Sequence, residues 1–527
     1  MSIKRYGIVL NGKSMSLDNV ITLGDTDANI SLSEEALILC ARSRKVLEEA
    51  VNAKQIIYGV NTSYGPMCNK IISDSKLDAL QVNLLRSHSA GMGPVLPYNI
   101  CRATFAIRIN CLAKGFSGVR PELLCFMEKV FNAGIAPVIY EQGSVGASGD
   151  LIHLAHLGLG LIGEGDLYLN DEIMPAKIAL EKAEITPIKL SYKEAISIMN
   201  GTATMSAIAC FALHKARKLF NAQILSLAFA MEIFGGCEDA FDAALHEIKP
   251  HEGQILVAEK IEHLLTGSRN VRNLRDYNSE NRKKDQPDSS VSEVLQDVQD
   301  VYSLRCAPQV LAVLYDAIKY AQKVLLTEIN SSNDNPLVIP EGKKILHGGN
   351  FHGQSVSFAM DNLRIAISTL CNISERRLNK LLDKNLNGNL PENLAAGDIG
   401  LEMGFMGAQY LSVSTTAENR QLAAPMSVNS ISSNESNQDI VSMGTISARL
   451  ALKSVQNAEL VQTTEILADL QALSFQDTEN LGMRTKKIYD KFSENYTQYN
   501  CGRVFREDLL RFREIIFEKT IEVMGII

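Results

Sequence analysis

Polar and apolar positions divide the chain unevenly. Residues 1–30 hold short pieces only, with a candidate strand over 6–10. Ser31-Leu32-Ser33-Glu34 reads as a capping box opening an amphipathic helix toward Asn52. A breaker-rich loop covers 58–66, and residues 75–135 read as helices, with Arg86-Ser87-His88-Ser89-Ala90-Gly91 near a helix end. A small hairpin is expected over 167–174, and Ser191-Tyr192-Lys193-Glu194 is a second capping box whose short helix ends at Asn200-Gly201. Beyond it the pattern turns strongly helical, over 203–235, 308–330, 354–383, 440–475 and 504–524, interrupted by a hairpin at 337–345. Several of these exceed the ordinary helix length of about 11–12 residues. They predict a mainly α fold: a long antiparallel helix bundle with a smaller mixed N-terminal part.

No internal repeat or domain linker stands out, so 1–527 reads as one chain, with 1–200 as the N-terminal part and 201–527 as the bundle. The polar segment 268–290 reads as a solvated loop or, more sharply, as a lid over a site.

Composition narrows the class. With 46% hydrophobic and 21% charged residues the chain is ordinary for a globular protein, and a formal charge of −8 argues against a general nucleic-acid binder. The longest apolar run, around 224–234, is broken by Glu232, and no signal peptide is expected at the N-terminus. Ten cysteines, none closer than ten positions to another, suit free thiols in a cytoplasmic protein. His153-x-x-His156 lacks a carboxylate at ligand spacing, so packed histidines are expected rather than a metal site.

The candidate chemistry centres on Gly143-Ser144-Val145-Gly146-Ala147-Ser148-Gly149-Asp150. Three glycines in eight positions let the backbone fold back on itself or approach something closely. The spacing fits neither a Walker A loop, a dinucleotide fingerprint nor a hydrolase elbow. One reading is a glycine-rich entry to a helix capped by Asp150. The other is cyclisation: the Gly149 nitrogen attacks the Ala147 carbonyl, and loss of water with dehydration of Ser148 leaves an imidazolone bearing an exocyclic methylene.

Taken with Tyr58-Gly59-Val60-Asn61-Thr62, Asn200-Gly201-Thr202, Tyr302-Ser303-Leu304-Arg305, Asn333-Asp334-Asn335-Pro336, Gly348-Gly349-Asn350-Phe351-His352-Gly353 and Asn437-Gln438-Asp439, this stretch resembles the aromatic amino acid lyases and aminomutases. The resemblance implies a histidine ammonia-lyase/fumarase-like fold and the prosthetic group 4-methylideneimidazol-5-one (MIO), made from Ala147-Ser148-Gly149. No metal or dissociable cofactor is expected. It also implies a homotetramer with shared active sites and a small-molecule aromatic amino acid substrate. Expelling ammonia while removing a weakly acidic β-proton calls for an electrophile that takes the amine covalently.

By the same resemblance Tyr58 is the base, helped by converging helix N-termini. Arg305 clamps the carboxylate. Tyr302 and Gln299 are lid residues, Asn200 bonds the ring and the amine, and Asn333 and Phe351 line the pocket. Asp150 positions backbone for ring formation, and Tyr64 is assigned to packing. His88 resembles the ring-end histidine of histidine and bacterial tyrosine enzymes. Gln438 stands where histidine lyases have glutamate. Asn434 and the Phe405–Tyr410 stretch resemble the tyrosine group, with Tyr410 in reach of a ring hydroxyl. Tyrosine lyase, giving trans-p-coumarate, is therefore expected ahead of tyrosine 2,3-aminomutase and histidine lyase. A catalytically dead helical scaffold is the non-enzyme alternative; the presence of Tyr58 and Ser148 argues against it.

Overall fold

The computed structural model describes residues 7–274, 294 and 297–520. Most of the segment 268–290, read above as a loop or lid, lies outside the described residues. The fold is mainly α, as the long helical periods require. The expected long helices occur as Ala203–Phe234, Ala307–Glu328, Gln354–Leu382 and Gly444–Leu473. The last expected helix is α-helical over Phe505–Glu514 and continues as a π-helix, Ile515–Thr520.

The chain divides into two compact units. The first draws on residues 1–214, 320–361 and 425–452. It carries the sheets, all small. Gly7–Leu10 pairs in parallel with Asn29–Leu32. Asp166–Leu169 and Glu172–Pro175 form the expected hairpin through Asn170 and Asp171, both with positive φ (50° and 71°), and Ile135–Pro137 adds a third strand. Asn and Asp tolerate this left-handed turn better than other non-glycine residues. A strand the sequence did not foretell, Met92–Val95, pairs with Tyr140–Gln142 across an irregular register. The core of this unit is the helix Tyr98–Ala113, buried over nearly its whole length. Its even burial explains why no amphipathic stripe marks it.

Both capping boxes shift. The helix Glu34–Asn52 is capped by Ser33, whose hydroxyl accepts from Ala36 N, so Ser31 does not cap it. At the second box Glu194 Oε2 accepts from Ser191 N at 2.8 Å, but the Ser191 hydroxyl accepts from Arg44 instead. Half of that box is present, and it starts the helix Glu194–Met199, which ends at Asn200.

The second unit, residues 215–319, 362–424 and 453–527, has a buried polar seam. Arg377 Nε donates to Glu465 at 2.5 Å with both side chains fully buried, and Ser226 donates to Asp469 at 2.8 Å. Burial and the nearby Glu465 push the Asp469 carboxyl well above its usual range. All ten cysteines are free.

Candidate active site

The glycine-rich stretch leads into the helix Leu151–Leu161, and Asp150 occupies its N-cap position without a side-chain bond to that helix. The capping expected of Asp150 goes elsewhere. Its Oδ2 accepts from Met205 N at 2.9 Å, in the first turn of Ala203–Phe234, and Oδ1 accepts from Ser144 Oγ at 3.0 Å and from Thr445 Oγ1. Burial raises its pKa to about 6 despite these donors. Asp150 therefore pins the loop to the starts of two other helices, Ala203–Phe234 and Gly444–Leu473. A fourth helix start joins them: Gly353 N, just before Gln354–Leu382, donates to Gly146 O at 3.1 Å. Met443 N donates to Val145 O at 2.9 Å.

Within this clamp the backbones touch. Gly149 has φ +68°, and a Cβ there would lie 2.1 Å from Gly201 O. A Cβ on Gly201 would lie 1.9 Å from the Arg108 guanidinium. Ala147 is buried against Val441 and Met443. Asn200 Nδ2 donates to Ser148 O at 2.7 Å, and Gln438 Nε2 donates to Ser148 Oγ at 3.0 Å. The residues present thus fit an MIO group: an unhindered glycine nitrogen at 149, a small residue at 147, and amide donors already on both oxygens of Ser148.

A cavity of about 350 Å³ opens beside Ser148. Tyr58, His88, Asn200, Phe351, Asn434 and Gln438, named from the sequence, all line it. Tyr58 Oη accepts from Gly65 N at 3.0 Å, the first residue of the short 3-10 turn Gly65–Met67. Burial outweighs this one donor and raises the Tyr58 pKa, so the helix-terminus help expected for a phenolate reduces to a single N–H. His88 Nδ1 lies 3.1 Å from Leu84 O. A carbonyl only accepts, and Ser87 Oγ, 2.9 Å from the same Nδ1, donates its own proton to Leu84 O, so Nδ1 carries the proton. Burial depresses the His88 pKa, and the neutral ring keeps Nε2 as an acceptor. Gln438 is held by Ser433, which donates to its Oε1 at 3.1 Å. The turn between them puts Asn434, Glu435 and Ser436 at positive φ (54°, 54° and 62°), a conformation costing about 1–2 kcal/mol per non-glycine residue.

The other expected residues lie elsewhere. Asn333 does not line the cavity: it is buried behind Gly201, accepting from Arg108 Nη1 and donating to Thr202 Oγ1, each at 2.8 Å. Gln299, Tyr302, Arg305 and Tyr410 belong to the second unit. Gln299 lines a polar cavity of about 830 Å³ within that unit. The Arg305 guanidinium stacks 4.5 Å over the Tyr302 ring, and its Nε donates to Asp300 O at 2.8 Å. Tyr302 is 69% exposed and Tyr410 66%.

Several lining residues escaped the sequence reading, Tyr64, Asn335 and His347 among them. Tyr64, assigned to packing, also faces the cavity. Asn335 accepts from Gly348 N at 2.8 Å, and His347 Nε2 accepts from Tyr58 N at 3.3 Å. Both sit in or beside motifs quoted above, which was the available signal. Among the described residues, no carboxylate and no lysine or arginine lines the cavity. Among the described residues no group of three or more His, Cys, Asp or Glu side chains gathers as a metal site, and no helix is long and apolar enough to cross a membrane.

Residues 15–494 match the family model for aromatic amino acid lyases. A histidine ammonia-lyase from Alkaliphilus metalliredigens is 38% identical over 514 residues, 98% of this chain and 97% of the relative. Among solved structures, tyrosine aminomutase from Streptomyces globisporus is 35% identical with a TM-score of 0.93, covering 98% of each chain. Histidine ammonia-lyase from Trypanosoma cruzi is 34% identical with a TM-score of 0.87, covering 98% of this chain and 94% of that one. The chain belongs to the aromatic amino acid lyase family and is a carbon–nitrogen lyase that releases ammonia.

Proposed function

We propose that the lyase acts on L-tyrosine, giving trans-p-coumarate and ammonia, through an MIO group formed from Ala147-Ser148-Gly149. The observation that carries this is the ring-end chemistry of the cavity. His88 offers a neutral acceptor nitrogen to a phenol O–H, with no carboxylate to pair an imidazole among the described residues that line the cavity. A site built around one hydrogen bond discriminates strongly against substrates lacking it.

When formed, MIO supplies the electrophile that takes the amine and makes it a leaving group. The chain's own residues do the rest. Asn200 Nδ2 holds a donor on Ser148 O, where electron density must be drawn. Before the ring forms, Gln438 holds Ser148 Oγ, the oxygen that leaves as water on dehydration. Tyr58 Oη is the proton acceptor for the β-carbon, steadied by the Gly65 N–H. The substrate carboxylate finds no cation among the described residues that line the cavity. Arg305 of a second copy in a homotetramer is the proposed clamp, and the exposure of Tyr302 beside it supports the reading.

Whole-chain likeness supports histidine better than tyrosine as the substrate, since the curated relatives at 37–39% identity are histidine ammonia-lyases. Histidine is therefore the second reading, giving urocanate. The tyrosine aminomutase likeness keeps β-tyrosine as a further product to look for. Incubating pure protein with L-tyrosine, L-phenylalanine and L-histidine together, with products identified by mass spectrometry, tests all three. Early p-coumarate is the expected result; dominant urocanate overturns tyrosine, and early β-tyrosine makes the enzyme an aminomutase.

A further inference from the structure

Two residues outside the established motif roles join the walls of the cavity. The Tyr64 ring meets Tyr58 edge-on, centroids 6.2 Å apart at 86°. It fits there because position 59 is glycine: a Cβ on Gly59 would lie 2.8 Å from the Tyr64 ring. Gln81, fully buried, reaches both sides. Its Oε1 accepts from Ala195 N at 3.1 Å and its Nε2 donates to Tyr64 Oη at 3.3 Å. The Ala195 N–H can only donate, which fixes the orientation of the amide. Ala195 belongs to Glu194–Met199, the helix that delivers Asn200 to Ser148 O.

We propose that Tyr64 and Gln81 are positioning residues of the ammonia-releasing reaction, a strut that fixes Tyr58 relative to Asn200 at the cavity. The proposal rests on the reading of Tyr58 as proton acceptor. A proton acceptor and an amide donor carried by separate segments of one cavity work only at fixed separation, because misplacement by an ångström costs large factors in rate. Edge-on packing on Tyr64 restrains the Tyr58 ring, and the Gln81 amide ties that packing to the Asn200 helix.

The test compares wild type, Tyr64→Phe, Gln81→Met and the double variant as full-length protein. Steady-state kinetics on the preferred substrate are read together with amide hydrogen exchange over residues 57–67 and thermal melting. The expected result is a fall in kcat of about tenfold in each single variant with KM within about twofold, and no further loss in the double. Exchange over 57–67 should quicken by a similar factor while the melting midpoint holds. Wild-type kcat in both single variants overturns the strut. So does a kcat loss that only tracks the folded fraction, or additive losses in the double. A wild type that releases no ammonia from any aromatic amino acid removes the reading beneath it, a result distinct from the others.

Discussion

Asn200 Nδ2 donates to the Ser148 carbonyl oxygen at 2.7 Å, from the residue that ends Glu194–Met199. Removing that donor, as in Asn200→Ala, should lower kcat by about 10²–10³-fold, the scale of losing one preorganised donor. Intact mass separates its causes: a chain still two waters light has formed the ring and lost only the donor. Ser148→Ala should restore the full mass and remove turnover. A Ser148→Ala chain with wild-type rates would end the MIO reading.

His88 and Gln438 decide the ring end. Leaving a substrate hydroxyl without its partner costs about 1–3 kcal/mol, so His88→Leu should reduce kcat/KM for L-tyrosine by about 10–100-fold and raise it for L-phenylalanine. Gln438→Glu should move the ratio of L-histidine to L-tyrosine turnover toward histidine. Both are read by competing the substrates in one vessel.

The pH dependence of turnover should be set by Tyr58. Burial holds its phenol above its ordinary value of about 10, so the unprotonated fraction grows about tenfold per pH unit throughout the neutral range. The kcat/KM profile should still be climbing at about pH 9. A plateau near neutrality would mean that a second copy lowers the Tyr58 pKa on assembly.

Acid stability should depend on His153. It is fully buried with neither ring nitrogen hydrogen-bonded, its Nδ1 4.0 Å from Asp150 Oδ1, and burial lowers its pKa to about 3. Because the folded value lies below the unfolded one near 6.5, its contribution is complete above about 6.5 and is lost as pH falls toward 3. At about pH 4.5 the loss is about 2–3 kcal/mol. Asp150, at about 6, runs the opposite way and loses stability as pH rises from about 4 to about 6. His153→Phe should therefore flatten the fall in melting temperature between about pH 6.5 and 4.5.

If Arg305 of another copy completes the cavity, Tyr58→Phe and Arg305→Met chains should each be inactive alone. Mixed during refolding, they should recover a fraction of wild-type turnover, because some sites then receive both intact residues. No recovery in a mixed tetramer would place both residues' work within one chain.

Much of this was legible in the letters. The four long helices announced themselves because apolar residues recur over many turns, and the motif residues at 58, 88, 200, 351, 434 and 438 do meet at one cavity. What failed was partner choice. Asp150 had a capping residue's position but caps a helix 53 residues further on, which local spacing cannot reveal. Ser33 rather than Ser31 caps its helix because both are serines and only the strand end at Leu32 decides between them. Asn333 carried the right motif and faces away, its amide spent on Arg108 and Thr202. Met92–Val95 hides its strand because glycine and proline occupy its middle.

The contact of Gly149 with Gly201, and of Gly201 with Arg108, also sets an order of events. Residues 143–150 are held in shape by segments from 201, 353 and 443, which lie far apart along the chain. On the MIO reading, an unfinished chain cannot make its own electrophile. Reactivity becomes a certificate of completed folding, and the group arises only once the walls that shield it from stray nucleophiles are standing.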